Sequence, residues 1–145
     1  MSLNEYNKKA ITDTYKNAHI ALQSISDLLP DVEDSQLKDL LSEQYEGYNQ
    51  VIEEIKEYMC KEGLETKEIN PMKKAMLWGS IKMKTMMNNS RNQIAEMMIK
   101  GSVMGINELT AMKNESSRLN DNVKKHVENL LQLEEEYTDQ LKRFL

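Results

Sequence analysis

Asn88-Asn89-Ser90-Arg91-Asn92-Gln93, residues 88–93, interrupts a helical pattern that otherwise runs from Pro71 to Lys113. Asparagine accepts the left-handed backbone that ends a helix. Ser90-x-x-Gln93 has the spacing of a capping box, which starts one. The stretch therefore predicts a break at 88–90, with residues 71–87 as a crossover helix and residues 91–113 as a main helix. Asn70-Pro71 opens the crossover, asparagine as cap and proline at the first helical position. The alternative is one long, kinked helix over the same span.

The flanking segments carry the same bundle spacing of four and three. Ahead of the crossover, Ser2-x-x-Glu5 reads as a capping box, followed by Ile11, Tyr15, Ala18, Leu22, Ile25 and Leu29. Pro30 stops that helix, because the residue before proline avoids the α region. A second helix begins near Asp31 or Asp34, with the line Leu37, Leu41, Gln44, Tyr48, Val51, Ile55, Tyr58 and a C-cap at Gly63. Beyond the third helix, a fourth starts between Ser116 and Asn120. Its line is Val123, Val127, Leu130, Glu134, Tyr137, Leu141, Phe144. Gln44 and Glu134 are the polar interruptions.

Composition agrees. The chain has 145 residues, enough for one domain with its own core, with five glycines and two prolines. Turn-dependent β folds are disfavoured. The single cysteine, Cys60, excludes an internal disulfide framework and fits a reducing compartment. No apolar run reaches spanning length, and residues 1–5 lack a signal-peptide pattern. The expected location is cytoplasmic, with no membrane contact. Residues 1–69 hold seven basic and fifteen acidic groups, whereas residues 70–107 hold six basic groups and the single acid Glu96. The basic middle suits an acidic protein surface, including the first half of a second copy. The overall charge of -5 repels phosphate, and the basic residues lack interleaved aromatics, so nucleic acid is not an expected partner.

Four long helices in two short-linked hairpins, joined by one crossover of about 25 Å, predict an all-α, ferritin-like four-helix bundle in a single domain, 1–145. Residues 94–109, Ile-Ala-Glu-Met-Met-Ile-Lys-Gly-Ser-Val-Met-Gly-Ile-Asn-Glu-Leu, resemble a segment of small uncharacterised ferritin-like proteins from anaerobic Firmicutes. Met76-Leu77-Trp78-Gly79-Ser80-Ile81-Lys82-Met83 and Leu133-Glu134-Glu135-Glu136 are similar to the same family. The resemblance spans nearly the whole chain. It implies the fold and supplies no activity.

A di-iron site in such a bundle needs a Glu from each of two helices and a Glu-x-x-His pair from each of the other two. His19 and His126 are the two histidines, and Lys16 and Val123 stand three residues before them. The standard site is absent. Hairpin geometry sets His19 level with Gln44, and Glu96 level with Glu134. These four are candidates for a degenerate metal or small-ligand site. The preferred reading makes them polar groups that fix register. No catalytic residue and no cofactor is expected.

Nine of the eleven methionines lie between Met72 and Met112. Core gap-filling is the preferred reading, ahead of an adaptable partner surface and of copper(I) ligation. Gly101 and Gly105 weaken a helix by roughly 1 kcal/mol each, which suggests close packing within the bundle or across an interface. Ile99, Val103 and Ile106 widen the apolar surface of that helix beyond one seam. A homodimer through this surface is expected, with Trp78 packing the crossover onto the bundle. The sequence points to a non-enzymatic binding or structural protein. The alternative is a divergent metal-binding or oxidoreductase-type bundle.

Overall fold

A computed structural model describes residues 3–66 and 90–145. Those residues form four long helices and contain no strand: α1 (Glu5–Leu28), α2 (Ser35–Lys61), α3 (Arg91–Asn114) and α4 (Asp121–Leu141). Single 3-10 turns, Leu29–Asp31, Ser116–Arg118 and Lys142–Phe144, close α1, α3 and α4. The expected crossover helix 71–87, its Asn70-Pro71 start, the Asn88-Asn89 pair and the packing of Trp78 lie outside the described residues. No helix among the described residues is long and apolar enough to cross a membrane.

Short polar side chains set the starts. Asn4 caps α1 by accepting the Asn7 amide at 2.8 Å, so the start lies two residues later than the Ser2 box predicts. Asp34 caps α2 through the Leu37 amide at 2.9 Å, and Asn120 caps α4 through the Val123 amide at 2.8 Å. Each satisfies an amide that the helix itself leaves free. Ser90 is extended, and α3 begins at Arg91, as the break predicts. The capping box itself does not form: the Ser90 hydroxyl donates to Asn92 Oδ1 at 2.7 Å rather than closing on the first-turn amides. Gly63, at φ 72°, ends α2. Its amide donates to Cys60 O, and the Leu64 amide reaches back to Met59 O at 2.8 Å. This is the Schellman arrangement, which needs the left-handed residue that glycine supplies.

The buried faces follow the apolar lines with one systematic drift. On α2 the buried positions are Leu37, Leu41, Gln44, Tyr48, Ile52, Ile55 and Met59. Ile52 and Met59 replace the expected Val51 and Tyr58. On α4, Thr138 is buried where Tyr137 was expected. A straight helix turns every 3.6 residues, so a strict four-three pattern slips off the true seam after three or four turns.

Contacts at the two ends give the topology. Asn7, at the start of α1, donates through Nδ2 to Arg118 O at 3.3 Å and accepts the Asn120 amide through Oδ1 at 2.8 Å. Asn120 Nδ2 also reaches Tyr58 Oη at 3.5 Å. The starts of α1 and α4 and the ends of α2 and α3 therefore share one end. At the other, Arg91 pairs with Asp34 at 3.5 Å and lies 5.6 Å from the centre of the Phe144 ring. Thus α1 runs parallel to α4 and α2 parallel to α3. The end of α2 and the start of α3 therefore lie at opposite ends of the bundle. Ile11, Ala18, Ile25, Leu41, Ile55, Ile94, Leu109, Val127 and Leu130 are among the fully buried residues of the core between the helices.

Candidate functional site

Midway along the bundle the core turns polar. Glu134 of α4 is 2% exposed, with Asn17 of α1 and Tyr48 of α2 also buried. The Glu134 carboxyl lies against the backbone of Gly105 on α3. A Cβ on Gly105 would meet Glu134 Oε1 at 2.8 Å, Asn17 Oδ1 at 3.0 Å and Glu134 Oε2 at 3.2 Å. Only a residue without a side chain leaves room for the carboxyl there. Asn17 is oriented by its own amide, because Nδ2 donates to Gly105 O at 3.1 Å. That bond turns Oδ1 toward the same space as the carboxyl.

Glu134 Oε1 is buried and has no hydrogen-bond partner. Loss of water penalises the ionised form, and the nearby Glu108 charge adds to the penalty, so the Glu134 pKa is pushed up to about 8. Burial also pushes the Tyr48 hydroxyl well above its ordinary value, helped by the charges of Glu134 and Tyr137. Thr138 does not relieve the carboxyl. Its hydroxyl donates to the Glu134 backbone carbonyl at 2.8 Å.

One turn farther along α4, Tyr137 meets the Tyr48 ring edge-on, with centroids 5.2 Å apart. Its hydroxyl rests on Gly47 of α2, where a Cβ would overlap it. Two glycines on facing helices thus each admit a side chain of α4.

The four candidate ligands do not come together as one site. Gln44 donates through Nε2 to Tyr137 O at 3.2 Å and Gln140 Oε1 at 3.1 Å, which ties α2 to the backbone of α4. Glu96 is corrected outright: it is half-exposed and pairs with Lys100 at 3.1 Å. The buried positions around it are Ile94, Ala95 and Met98, and Glu96 is off that face. His19 follows Asn17 by two residues, about 200° around the helix, and so points away from Glu134. Its ring packs on Tyr15 at 5.8 Å, and its buried Nδ1 has no partner. Of the four, only Glu134 belongs to the mid-bundle cluster. No group of three or more His, Cys, Asp or Glu among the described residues is placed to hold a metal ion.

The interface candidates also separate. Gly105 is the close-packing glycine, whereas Gly101 is exposed and would meet nothing within 4 Å. Val103 is 43% exposed and Met104 67%. Met59 and Met98 are buried in the core, and Cys60 is exposed at the end of α2. Asn17, Gly47 and Tyr48 carry the site's geometry without having been singled out as site residues. Tyr48 was legible as core. Asn17 and Gly47 carry no pattern of their own, since each matters only through a residue of another helix.

Neither family models nor curated proteins nor solved structures give a match to the chain. The class that the structure defines is an all-helical protein with four long helices and one polar layer in its core.

Proposed function

We propose that this chain is a ferritin-like bundle that has no di-iron chemistry and works as a non-enzymatic binding or structural protein, paired with a second copy. The parallel pairing of α1 with α4 and of α2 with α3, which puts the end of α2 and the start of α3 at opposite ends of the bundle, supports the ferritin-like reading. The observation that carries the functional reading is the donor set at mid-height. A di-iron centre needs several carboxylates and two histidines converging there. Here the layer presents Asn17, Tyr48, Gly105 and Glu134, the one buried acid among the described residues. Those residues do not fit that centre. The test is aerobic iron loading followed by elemental analysis. Iron well below one atom per chain is expected, and two per chain would overturn the reading.

The pairing rests on α3. Val103 and Met104 are exposed beside the half-buried Ile99 and Ile106, a face more apolar than a solvated helix needs. The same patch on two copies is self-complementary about a two-fold axis. Light scattering at low micromolar concentration is expected to give a dimer mass for the wild type and a monomer for Val103→Lys. A monomeric wild type would refute the pairing.

A further inference from the structure

Three acceptor oxygens crowd the backbone of Gly105: both carboxyl oxygens of Glu134 and Asn17 Oδ1, all within 2.8–3.2 Å of one point. Asn17 Nδ2 donates to Gly105 O, which turns Oδ1 and not the amide nitrogen toward the carboxyl. Oε1 of Glu134 is buried and unpartnered. An ionised carboxyl buried beside an amide oxygen is repelled by it and loses solvation. A protonated one is a donor next to an acceptor.

We propose that Glu134 is a proton-operated latch between α4, α1 and α3: when protonated it donates to Asn17 Oδ1 beneath Gly105 and holds α3 in place, and when ionised it loosens α3 from that layer. Among the described residues, the groups that act on Glu134 from the neighbouring helices do not supply a compensating charge. From α2 the Tyr48 hydroxyl is close enough to feel its charge, and is itself pushed upward by burial and by that charge. From α3 the Glu108 charge acts on it, with the same sign. From α1 the facing group is the neutral Asn17. Lys9 of α1 is engaged with Asp13, and that pairing, with Glu108, holds its ammonium charged. On α4 itself the Thr138 hydroxyl donates to the Glu134 backbone carbonyl, and the Tyr137 hydroxyl rests on Gly47.

The sign follows from linkage. The folded carboxyl holds its proton up to about pH 8, whereas an exposed one releases it in the ordinary carboxylate range. Between those limits the closed state binds one more proton than the opened state. Opening therefore becomes easier by up to about tenfold per pH unit, and the slope disappears above the upper limit. This proposal does not depend on the ferritin-like reading or on the dimer.

The test is amide hydrogen exchange on the full chain over that pH window, corrected for intrinsic exchange rates. The amides of Gly105 and Leu109 in α3 are compared with those of Ile52 and Ile55 in α2. The expected result is an opening constant that climbs with pH for α3 more steeply than for α2, and a flat α3 profile in Glu134→Gln. A flat wild-type profile would overturn the latch, as would an undiminished slope in the variant or equal slopes in both helices. Carbon NMR of the wild-type Glu134 carboxyl supplies a second readout that does not require the variant to fold. A midpoint near pH 8 is expected, and one in the ordinary carboxylate range would overturn the proposal.

Discussion

Gln44 and Glu134 both break an apolar helix line, and both are buried to within 2%. Gln44 faces α4 and finds there a backbone carbonyl, Tyr137 O, and the side chain of Gln140. Glu134 is one turn away on α4, has Asn17 Oδ1 beside its carboxyl at Gly105, and leaves Oε1 without a hydrogen-bond partner. The first is a satisfied polar group whose burial costs little and whose geometry fixes the register of α2 against α4. The second retains a desolvation cost that a proton relieves. Two interruptions that look alike in sequence thus have opposite energetic characters, and the partner across the interface makes the difference. An amide brings its own donor and can answer a carbonyl. A carboxylate has to be given one.

The contrast is tested most strongly by Glu134→Gln. The folded carboxyl's raised pKa means that its stabilising contribution is present at low pH. It is lost as pH rises from the ordinary carboxylate range to about 8. Linkage gives a loss of roughly 1.4 kcal/mol per pH unit across that window. The full swing is about 5 kcal/mol as an upper figure. Glutamine does not titrate. The variant is expected to be close to wild type near about pH 5, progressively more stable than wild type from there to about pH 8, and offset by a constant amount above it. Urea unfolding at several pH values measures it, and a constant offset between the two proteins across that window would break the comparison.

Gln44→Ala attacks the satisfied member. It removes two hydrogen bonds and leaves a cavity beside Gln140, and a loss of about 2 kcal/mol is expected, independent of pH. Denaturant midpoints at two pH values check both halves of the statement. A pH-dependent loss would mean that Gln44 senses the Glu134 charge, and the two positions would then have to be treated as one network.

The glycines sharpen the same contrast at smaller magnitude. Gly47→Ala gains roughly 1 kcal/mol of helix propensity but sets a methyl group where the Tyr137 hydroxyl lies. Overpacking costs roughly 1–3 kcal/mol, so the net expectation is a loss of about 1 kcal/mol. Gly101→Ala meets nothing within 4 Å and is expected to stabilise by up to about 1 kcal/mol. Thermal unfolding of the two variants should move in opposite directions, and a gain for both would show that Tyr137 swings aside without cost.

Much of this fold was legible because it rests on local rules. Asp34, Gly63 and Asn120 act at the helix ends where their chemistry placed them. The start of α3 fell at Ser90, although through an extended backbone and not through the expected side-chain bond. The seams were legible to about one residue, and the slip from Val51 to Ile52 and from Tyr58 to Met59 is the cumulative difference between 3.5 and 3.6 residues per turn. The site was less legible. Glu134 was visible as an acid on an apolar line, and Gly105 as a glycine without a local reason. That the one sits on the other depends on how α3 rotates against α4, which no spacing within either helix specifies. The same rotation carried Glu96 outward.

Glu96 and Glu134 had been expected at one level of the core, and the smallest predicted effect distinguishes them. Glu96 pairs with Lys100 four residues on, both side chains well exposed. Such pairs contribute about 0.3–0.5 kcal/mol because water screens the charges and two long side chains must be held still. Glu96→Gln is therefore expected to lower stability by no more than about 0.5 kcal/mol, with the effect fading in high salt. A double variant with Glu134→Gln should show the two effects adding, since one group is in the core and the other at the surface with no shared partner. Chemical denaturation of the two single variants and the double variant at low and high salt measures both statements. A salt-insensitive loss above about 1 kcal/mol, or a clear departure from additivity, would mean that α3 is rotated so that Glu96 shares the polar layer with Glu134. In that case the outward orientation of Glu96, and with it the placement of Gly105 against the carboxyl, would have to be given up.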